Sequence, residues 1–226
     1  MSHVALKPPR AAEKIIGVLD LQGDVLEHLD HIERIGIPVR PVKQAGDFDN
    51  LAGLILPGGE STCLARLLRI FSLDKIIIRK FHEGMKIWGT CAGAILLAKS
   101  VVGETPHFGL IDIEVKRNDF GSQLDSFASE ASIPKLSPTP IPLTFIRAPK
   151  ILSVGEGVDV LLRMGDFIAA AESPDVLVTV FHPELTPSLV FHRHFARKCG
   201  LPSGTEETVI NPSWNRTSWM RLARIK

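Results

Sequence analysis

The sequence predicts an α/β fold, a three-layer sandwich in which helices cover both faces of a central, mostly parallel β-sheet. In the first hundred residues, short apolar runs rich in β-branched residues alternate with longer segments that repeat apolar residues at helical spacing. Parallel strands need crossover connections, and this strand–helix rhythm supplies them. A chain of 226 residues is also long enough to bury a substantial core.

Local sequence patterns predict each helix and strand of the first half. Residues 14–21 form a continuous apolar run, which is typical of a strand buried on both faces. Residues 24–35 repeat apolar side chains at helical spacing, and Gly36 follows where a helix would end. By the same criteria the next predicted elements are strands at 38–42, 51–56 and 85–88 and helices at 61–70, 74–82 and 92–100.

The second half predicts shorter strands and one last helix. Residues 118–126 are polar and predict a loop over the site, whereas 132–142 hold four prolines and predict a surface connection. The predicted strands are 110–116, 143–147, 151–154, 160–163, 167–171 and 176–181, and the predicted helix is 187–198, ended by Gly200.

Composition limits the possible functions. The net charge of +1 argues against a nucleic-acid or membrane-surface role, and no apolar stretch approaches the length of a membrane span.

Residues 1–13 lack the apolar region of a signal peptide and predict a disordered lead-in to a domain at 14–200. Residues 201–226 form an extension, docked or disordered. Three cysteines give neither a disulfide framework nor a metal spacing, so we expect a reducing, cytoplasmic location.

The segment Gly89-Thr90-Cys91-Ala92-Gly93 is the most informative in the chain. It joins a predicted strand to a predicted helix, as in the nucleophile elbow of serine hydrolases, with a thiol in place of the hydroxyl. The helix N-terminus favours a thiolate there. A lone cysteine is more often a small buried hydrophobe, but this setting favours catalysis.

A candidate general base lies about ninety residues downstream, at His182-Pro183-Glu184. On an extended chain, residues two apart share a face, so Glu184 is expected to orient the imidazole of His182 at the end of a strand. The alternative is a surface histidine beside a glutamate. The other histidines lack such a setting, and two of them, His192 and His194, are expected on a helix surface.

Two further groups of residues suggest how a substrate is held. Gly58-Gly59 follows a buried strand, so its N–H groups and that of Ala92 could form an oxyanion hole; a phosphate cradle is the competing interpretation. The neighbouring Glu60 suits an α-ammonium group. Arg117 or Arg147 could clamp a carboxylate, although a solvated face is the commoner role of an arginine.

These segments together resemble the class I, or triad, glutamine amidotransferases. Within that family the chain is most similar to the glutaminase subunits of pyridoxal 5′-phosphate synthases, over about residues 14–200. The segments that carry the resemblance are GVLDLQGDVLEH (17–28), LILPGGEST (54–62), WGTCAG (88–93), RNDFGSQLDSF (117–127), FIRAP (145–149) and FHPEL (181–185).

The resemblance implies a flavodoxin-like fold and hydrolysis of L-glutamine to L-glutamate and ammonia through a γ-glutamyl thioester. It implies a catalytic triad of Cys91, His182 and Glu184 and an oxyanion hole at Gly59 and Ala92. The implied glutamine-binding residues are Gly59, Glu60, Ser61, Arg117, Ile146 and Arg147. It also implies a (β/α)8-barrel synthase subunit as partner, in a large hetero-oligomer that makes vitamin B6, and neither a cofactor nor a metal.

The chain departs from the family pattern at several positions. Ser122 stands where an arginine is frequent, Ala94 where a leucine is usual, and Asp20 and Asp24 where smaller or apolar residues are common. None of these is expected to touch the triad. The alternatives are the glutaminase subunit of another amidotransferase, another cysteine hydrolase on the same fold, and a regulatory subunit that has lost turnover.

Overall fold

Five parallel strands form the centre of the protein in a computed structural model that describes residues 14–117 and 126–203. The elements of the first half are β1 (Ile15–Leu19), α1 (Val25–Arg34), β2 (Val39–Val42), β3 (Leu51–Leu56), α2 (Ser61–Ile70), α3 (Leu73–His82), β4 (Lys86–Thr90), α4 (Ala92–Leu97) and β5 (Ala98–Val101). Those of the second half are β6 (Ile111–Lys116), β7 (Phe127–Ala131), β8 (Ile141–Phe145), β9 (Lys150–Val154), β10 (Asp159–Met164), β11 (Phe167–Glu172), β12 (Val176–Thr179) and α5 (Val190–Lys198).

The main sheet has the strand order β2-β1-β3-β4-β12-β11-β9-β6-β5, and β10 pairs with β11. The strands from β2 to β12 are parallel, as is the β5–β6 pair, whereas β9, β10 and β11 pair antiparallel with their neighbours. The predicted α/β class is therefore confirmed, with the parallel pairing concentrated in the first half. β7 and β8 form a separate two-stranded ribbon.

The chain reverses its direction of travel across the sheet between β1 and β3. The β1–α1–β2 unit runs to one side and the β3–β4 unit to the other, and right-handed crossovers in opposite directions place their helices on opposite faces. Accordingly α1 contacts α5, while α2 contacts α3 and α4. A crevice opens at such a switch point, beyond the carboxyl ends of the strands.

The predicted helix at 92–100 is too long, because its last residues form β5. Leu96 and Leu97 offer their carbonyl oxygens to the N–H groups of Phe108 and Leu110, at 3.0 and 2.9 Å. Because these carbonyls accept hydrogen bonds from another segment, they are not available to a further helical turn. Ala98 instead adopts an extended conformation opposite Ile111.

Other boundaries shift for similar reasons. The helix predicted at 187–198 begins only at Val190, since the hydroxyls of Thr186 and Ser188 accept backbone N–H groups and compete with helical bonding. The strand predicted at 176–181 ends at Thr179, and that predicted at 143–147 covers Ile141–Phe145.

The sequence did not predict β7. The predicted loop at 118–126 lies outside the described residues except for its last residue, as do the predicted lead-in at 1–13 and most of the extension at 201–226. Among the described residues, no helix combines the length and the apolar character that crossing a bilayer requires.

Candidate active site

Cys91 lies at the junction of β4 and α4 with φ 47° and ψ −103°, a backbone conformation that a residue with a Cβ rarely adopts. Its N–H donates to the carbonyl of Thr179 on the neighbouring strand β12, at 2.8 Å. The side chain is 7% exposed, and its sulfur lies 3.9 Å from the carbonyl oxygen of Ile146. The elbow predicted from the sequence is therefore present, with the thiol at the edge of a cavity.

The two glycines of the elbow are required by close packing. A Cβ built on Gly89 would lie 2.5 Å from the carbonyl carbon of Gly93, and one on Gly93 would lie 2.1 Å from the carbonyl oxygen of Leu56. Both clashes are with backbone, which cannot move aside as a flexible side chain can. Helix α4 can begin this close to β3 and β4 only because both positions lack a side chain.

His182 and Glu184 form a bonded pair, as predicted, but not on an extended strand. Residues Pro183–Leu185 form a 3₁₀ turn, and the N–H of His182 donates to the carbonyl of Thr144 at 2.8 Å. The turn brings His182 Nδ1 to 2.8 Å from Glu184 Oε1. The expected contact therefore forms through a different local geometry.

The imidazole of His182 lies directly over Gly58, in the loop after β3. A Cβ on Gly58 would lie only 2.3 Å from His182 Cε1. The glycine that follows β3 therefore provides the space in which the ring approaches Cys91 from the adjacent strand. The carboxyl ends of β3, β4 and β12, three neighbouring parallel strands, together position loop, thiol and imidazole.

Asp24 contradicts the expectation that none of the departures touches the triad. Its Oδ2 lies 3.3 Å from His182 Nδ1, the same nitrogen that Glu184 engages. Asp24 begins α1 and is reached through the loop after β1, on the other side of the crevice. One N–H thus has a near carboxylate at 2.8 Å and a second, more distant one at 3.3 Å.

The surroundings of His182 favour its charged form. Burial opposes the imidazolium, but the charges of Glu184 and Cys91 and hydrogen bonds to Asp24 and Cys91 outweigh it and raise the pKa of His182 well above 6.5. Complete burial raises the pKa of Glu184, against the opposing charge and hydrogen bond of His182. A protonated imidazole beside the thiol is the arrangement that an activated cysteine needs.

A cavity of about 400 Å³ collects the predicted binding residues. Every residue that the resemblance implies for glutamine binding or the oxyanion hole lines it, together with Cys91 and His182, whereas Gly58 does not. Glu184 is fully buried behind His182 and does not reach the cavity. The further lining residues are Gln22, Gly23, Asp24, Ile95, Pro149 and Leu185, of which the sequence analysis named only Asp24, as a departure.

Arg117 and its three side-chain partners form what we call the mouth cluster, comprising Glu60, Thr62, Glu104 and Arg117, of which Glu60 and Arg117 line the cavity. The Glu60 carboxylate caps α2 by accepting the N–H groups of Thr62 and Cys63 at 3.0 and 2.6 Å. Arg117 donates to Glu60 at 3.2 Å and to Glu104 at 2.9 Å. Although burial works against it, these donors lower the pKa of Glu60, so it is a carboxylate at neutral pH.

Both oxyanion-hole candidates, Gly59 and Ala92, line the cavity that holds the thiol. Gly59 has φ 146°, outside the range that other residues readily adopt, and Ala92 is the first residue of α4 after Cys91. The hydroxyl of Ser61 is buried and makes no hydrogen bond within the described part of the chain. Arg147, also at the cavity, has a positive φ of 44°.

Three of the histidines to which the sequence analysis gave no functional role are buried. His28 and His192 are completely buried, and so is His31, which contradicts the predicted surface position of His192. The helical spacing carried the signal: His28 lies between Val25 and Ile32 on the apolar face of α1. His194 is partly buried and bonds Glu172 at 2.7 Å.

One group of potential metal ligands occurs among the described residues, comprising Asp24, His182 and Glu184, with donor atoms within 4.8 Å of one another. The same atoms already form the hydrogen bonds of the triad. The chemistry of this set is therefore accounted for by the protonated imidazole nitrogen and its two carboxylates.

The fold and the comparison with a solved structure together identify the class of protein, a class I glutamine amidotransferase with a cysteine elbow on an α/β sandwich. A solved structure described as a glutamine amidotransferase superposes with a TM-score of 0.78 at 40% identity, over 83% of this chain and all of that one. A structure of PurLQS from Thermotoga maritima, at 17% identity and a TM-score of 0.58 over 84% of this chain and 96% of that one, shares the fold.

The particular family follows from the sequence. The model of the SNO glutamine amidotransferase family matches residues 18–201, and the chain belongs to that family. Pyridoxal 5′-phosphate synthase subunit PdxT of Syntrophus aciditrophicus (strain SB) is 62% identical over 210 residues, 92% of this chain and 94% of that protein. The protein of the same name from Clostridium botulinum (strain Loch Maree / Type A3) is 52% identical over 186 residues, 81% of this chain and 96% of that protein.

Proposed function

We propose that this chain is a glutaminase that releases ammonia from L-glutamine for the synthesis of pyridoxal 5′-phosphate. The observation that carries the proposal is the elbow thiol beside a buried, carboxylate-bound imidazole, in a chain 62% identical to a pyridoxal 5′-phosphate synthase subunit. The thiolate of Cys91 attacks the side-chain amide carbon, forming a C–S bond. His182 protonates the leaving nitrogen as the C–N bond breaks, and ammonia departs from a γ-glutamyl thioester.

The second half of the reaction uses the same groups. His182, now neutral, removes a proton from water, which attacks the thioester and releases glutamate and the thiolate. In both steps the negative charge on the carbonyl oxygen is held by the N–H groups of Gly59 and Ala92, and one such donor contributes about 2.7–4 kcal/mol in a transition state. Glu184 fixes the ring orientation and stabilises the imidazolium.

The mouth cluster supports recognition of an α-amino acid. Glu60 and Arg117 are ion-paired, and both line the cavity that holds the thiol. A zwitterion can replace that pair by presenting its ammonium to Glu60 and its carboxylate to Arg117, so no charge is left without a partner. The unpartnered hydroxyl of Ser61 offers a further hydrogen bond to the substrate.

The partner in this proposal is a (β/α)8-barrel synthase subunit, in a large hetero-oligomer. Ammonia released into water is protonated and loses its nucleophilicity, so direct transfer to a docked synthase is the physical reason for a complex.

All three cysteines are unpaired thiols, which fits a reducing, cytoplasmic location.

A glutaminase assay with the candidate synthase subunit tests the proposal. The wild-type chain should release glutamate, and Cys91→Ala should release none while still binding glutamine and the partner. We also expect little activity without the synthase, because docking completes the oxyanion loop. Equal rates with and without the synthase would refute this gating, and glutamate release by Cys91→Ala would refute the mechanism.

A further inference from the structure

A chain of buried polar side chains continues behind the triad, on the side away from the cavity. Glu184 Oε2, the oxygen that does not bond His182, has no hydrogen-bond partner among the described residues, and it lies 3.4 Å from His28 Nε2. His28 Nδ1 in turn lies 2.9 Å from His192 Nε2. All of these side chains are completely buried, and they come from the 3₁₀ turn, α1 and α5.

The direction of these contacts follows from the number of available protons. Burial, together with the neighbouring charges of His31 and His182, lowers the pKa of His28 well below 6.5, so its ring is neutral and carries one N–H. Burial does the same for His192, together with the charges of His31 and His28. Each ring therefore donates through one nitrogen and accepts through the other.

Only one of the two tautomer sets turns an N–H of His28 towards the buried carboxylate. If His192 Nε2–H donates to His28 Nδ1, then His28 Nε2–H faces Glu184 Oε2, and the bare nitrogen of His192 is Nδ1. His192 Nδ1 is in fact without a hydrogen-bond partner among the described residues. The opposite set turns a lone pair of His28 towards the carboxylate and buries an unpaired N–H on His192, which costs more than a bare acceptor.

We infer that His28 is a positioning residue for the triad: its Nε2–H, set by a hydrogen bond from His192, turns the positive end of a dipole towards the Glu184 carboxylate and so favours the position from which Glu184 orients His182. Thr90 Oγ1 accepts a hydrogen bond from this Nε2–H at 3.4 Å and helps to fix the ring. Trp88 packs edge-on against both rings, at 5.5 Å from His28 and 4.9 Å from His192, and fixes their planes. The inference rests on the proposed glutaminase function, for which it supplies the support behind the carboxylate.

The test compares two replacements of His28 in the complex with the synthase. The side-chain amide of glutamine places an N–H near the Nε2 position, whereas leucine supplies no donor. We expect His28→Leu to lower kcat by up to about a hundredfold with KM for glutamine unchanged, since misplacing a catalytic group costs that much. His28→Gln should recover most of the lost rate.

A matched control separates positioning from loss of packing. Leu29 is the next residue of α1 and is also buried, but it lies outside the chain of polar side chains. Leu29→Ala should lower the melting temperature while leaving kcat close to that of the wild type. Equal kcat values for His28→Leu and wild type would overturn the inference, and so would a His28→Gln variant as slow as His28→Leu.

Two readouts do not depend on glutamine turnover. Nitrogen-15 shifts of labelled histidine should show His28 protonated at Nε2; protonation at Nδ1 overturns the inference. The pH profile of Cys91 alkylation, followed by mass spectrometry of its peptide, should move to higher pH in His28→Leu, because a loose carboxylate stabilises the imidazolium less. If these shifts occur without any glutamine hydrolysis by the wild type, the proposed function fails and the positioning role stands.

Discussion

The mouth cluster and the buried His182–Glu184 pair are both charged, but they meet water differently. The Glu60 and Arg117 side chains are 51% and 23% exposed, whereas those of His182 and Glu184 are 5% and 0% exposed. An exposed ion pair contributes little and can be exchanged for ligand charges, while a buried pair is held because each partner offsets the cost of burying the other. We therefore expect the mouth cluster to govern binding and the buried pair to govern the chemical step.

The largest contrast should come from making the same substitution in both regions. Glu184→Gln removes the charge that stabilises the imidazolium, so kcat should fall by up to about 10⁴-fold, with KM changed little. Glu60→Gln should mainly raise KM. Steady-state kinetics on glutamine with the synthase present measures both, and a reversed pattern would break the proposed division between the two regions.

Arg117→Ala should have the next largest effect. Losing a charged hydrogen bond to the substrate carboxylate should raise KM roughly tenfold, with kcat close to that of the wild type. Arg66→Ala is the matched control, because Arg66 is an exposed arginine of α2 that does not line the cavity. Loss of kcat without a change in KM in Arg117→Ala would instead place this side chain in the chemical step.

Asp24 lies between the two regions, since it lines the cavity and is close to the buried imidazole. Its carboxylate raises the pKa of His182, so in Asp24→Asn the titration of His182 should move to lower pH. The change in kcat should stay below about fivefold, as for other partly exposed charge pairs. It should become larger in a Glu184→Gln background, where Asp24 is the remaining carboxylate on Nδ1; additive losses would show that Asp24 does not substitute for Glu184.

The same substitution has a defined effect on folding stability. A group whose folded-state pKa is raised contributes stability that is complete below its unfolded pKa and is lost as the pH rises through its folded pKa. Asp24→Asn should therefore be less stable than the wild type at about pH 6 and approach it at higher pH. Thermal unfolding across this range checks the sign, and a deficit that grew with pH would contradict it.

The smallest effect should be that of salt. Raising the ionic strength screens exposed charges more than buried ones, so KM should rise modestly while kcat stays constant. Kinetics in sodium chloride at two concentrations measures this. A salt-dependent kcat would show that the buried pair is open to solvent in the complex.

The elbow and its partners could be predicted because their chemistry is local in sequence. Two glycines around Cys91 and a glutamate two residues after His182 are visible without any structure. The backbone conformation between His182 and Glu184 could not be predicted, since Pro183 fits both a strand end and the first residue of a 3₁₀ turn. Both conformations bring the two side chains into contact, so the predicted pair was correct although the predicted backbone conformation was wrong.

The support behind the triad could not be read from local patterns in the same way. His28 and His192 lie 164 positions apart and meet only because α1 packs against α5. Helical spacing could have placed each ring on a buried face, yet it does not say what lies opposite. Asp24 was judged harmless for the same reason, because its distance from His182 depends on how two loops converge across the crevice.

Gly58 has a consequence for the history of such enzymes. The space that a side chain would fill at this position is occupied by the ring of His182. As long as turnover is under selection, the two positions cannot diverge independently. A homologue that still bound its partner but had lost hydrolysis would tolerate an alanine or serine at this position. A residue larger than glycine here would therefore identify an inactive homologue from its sequence alone.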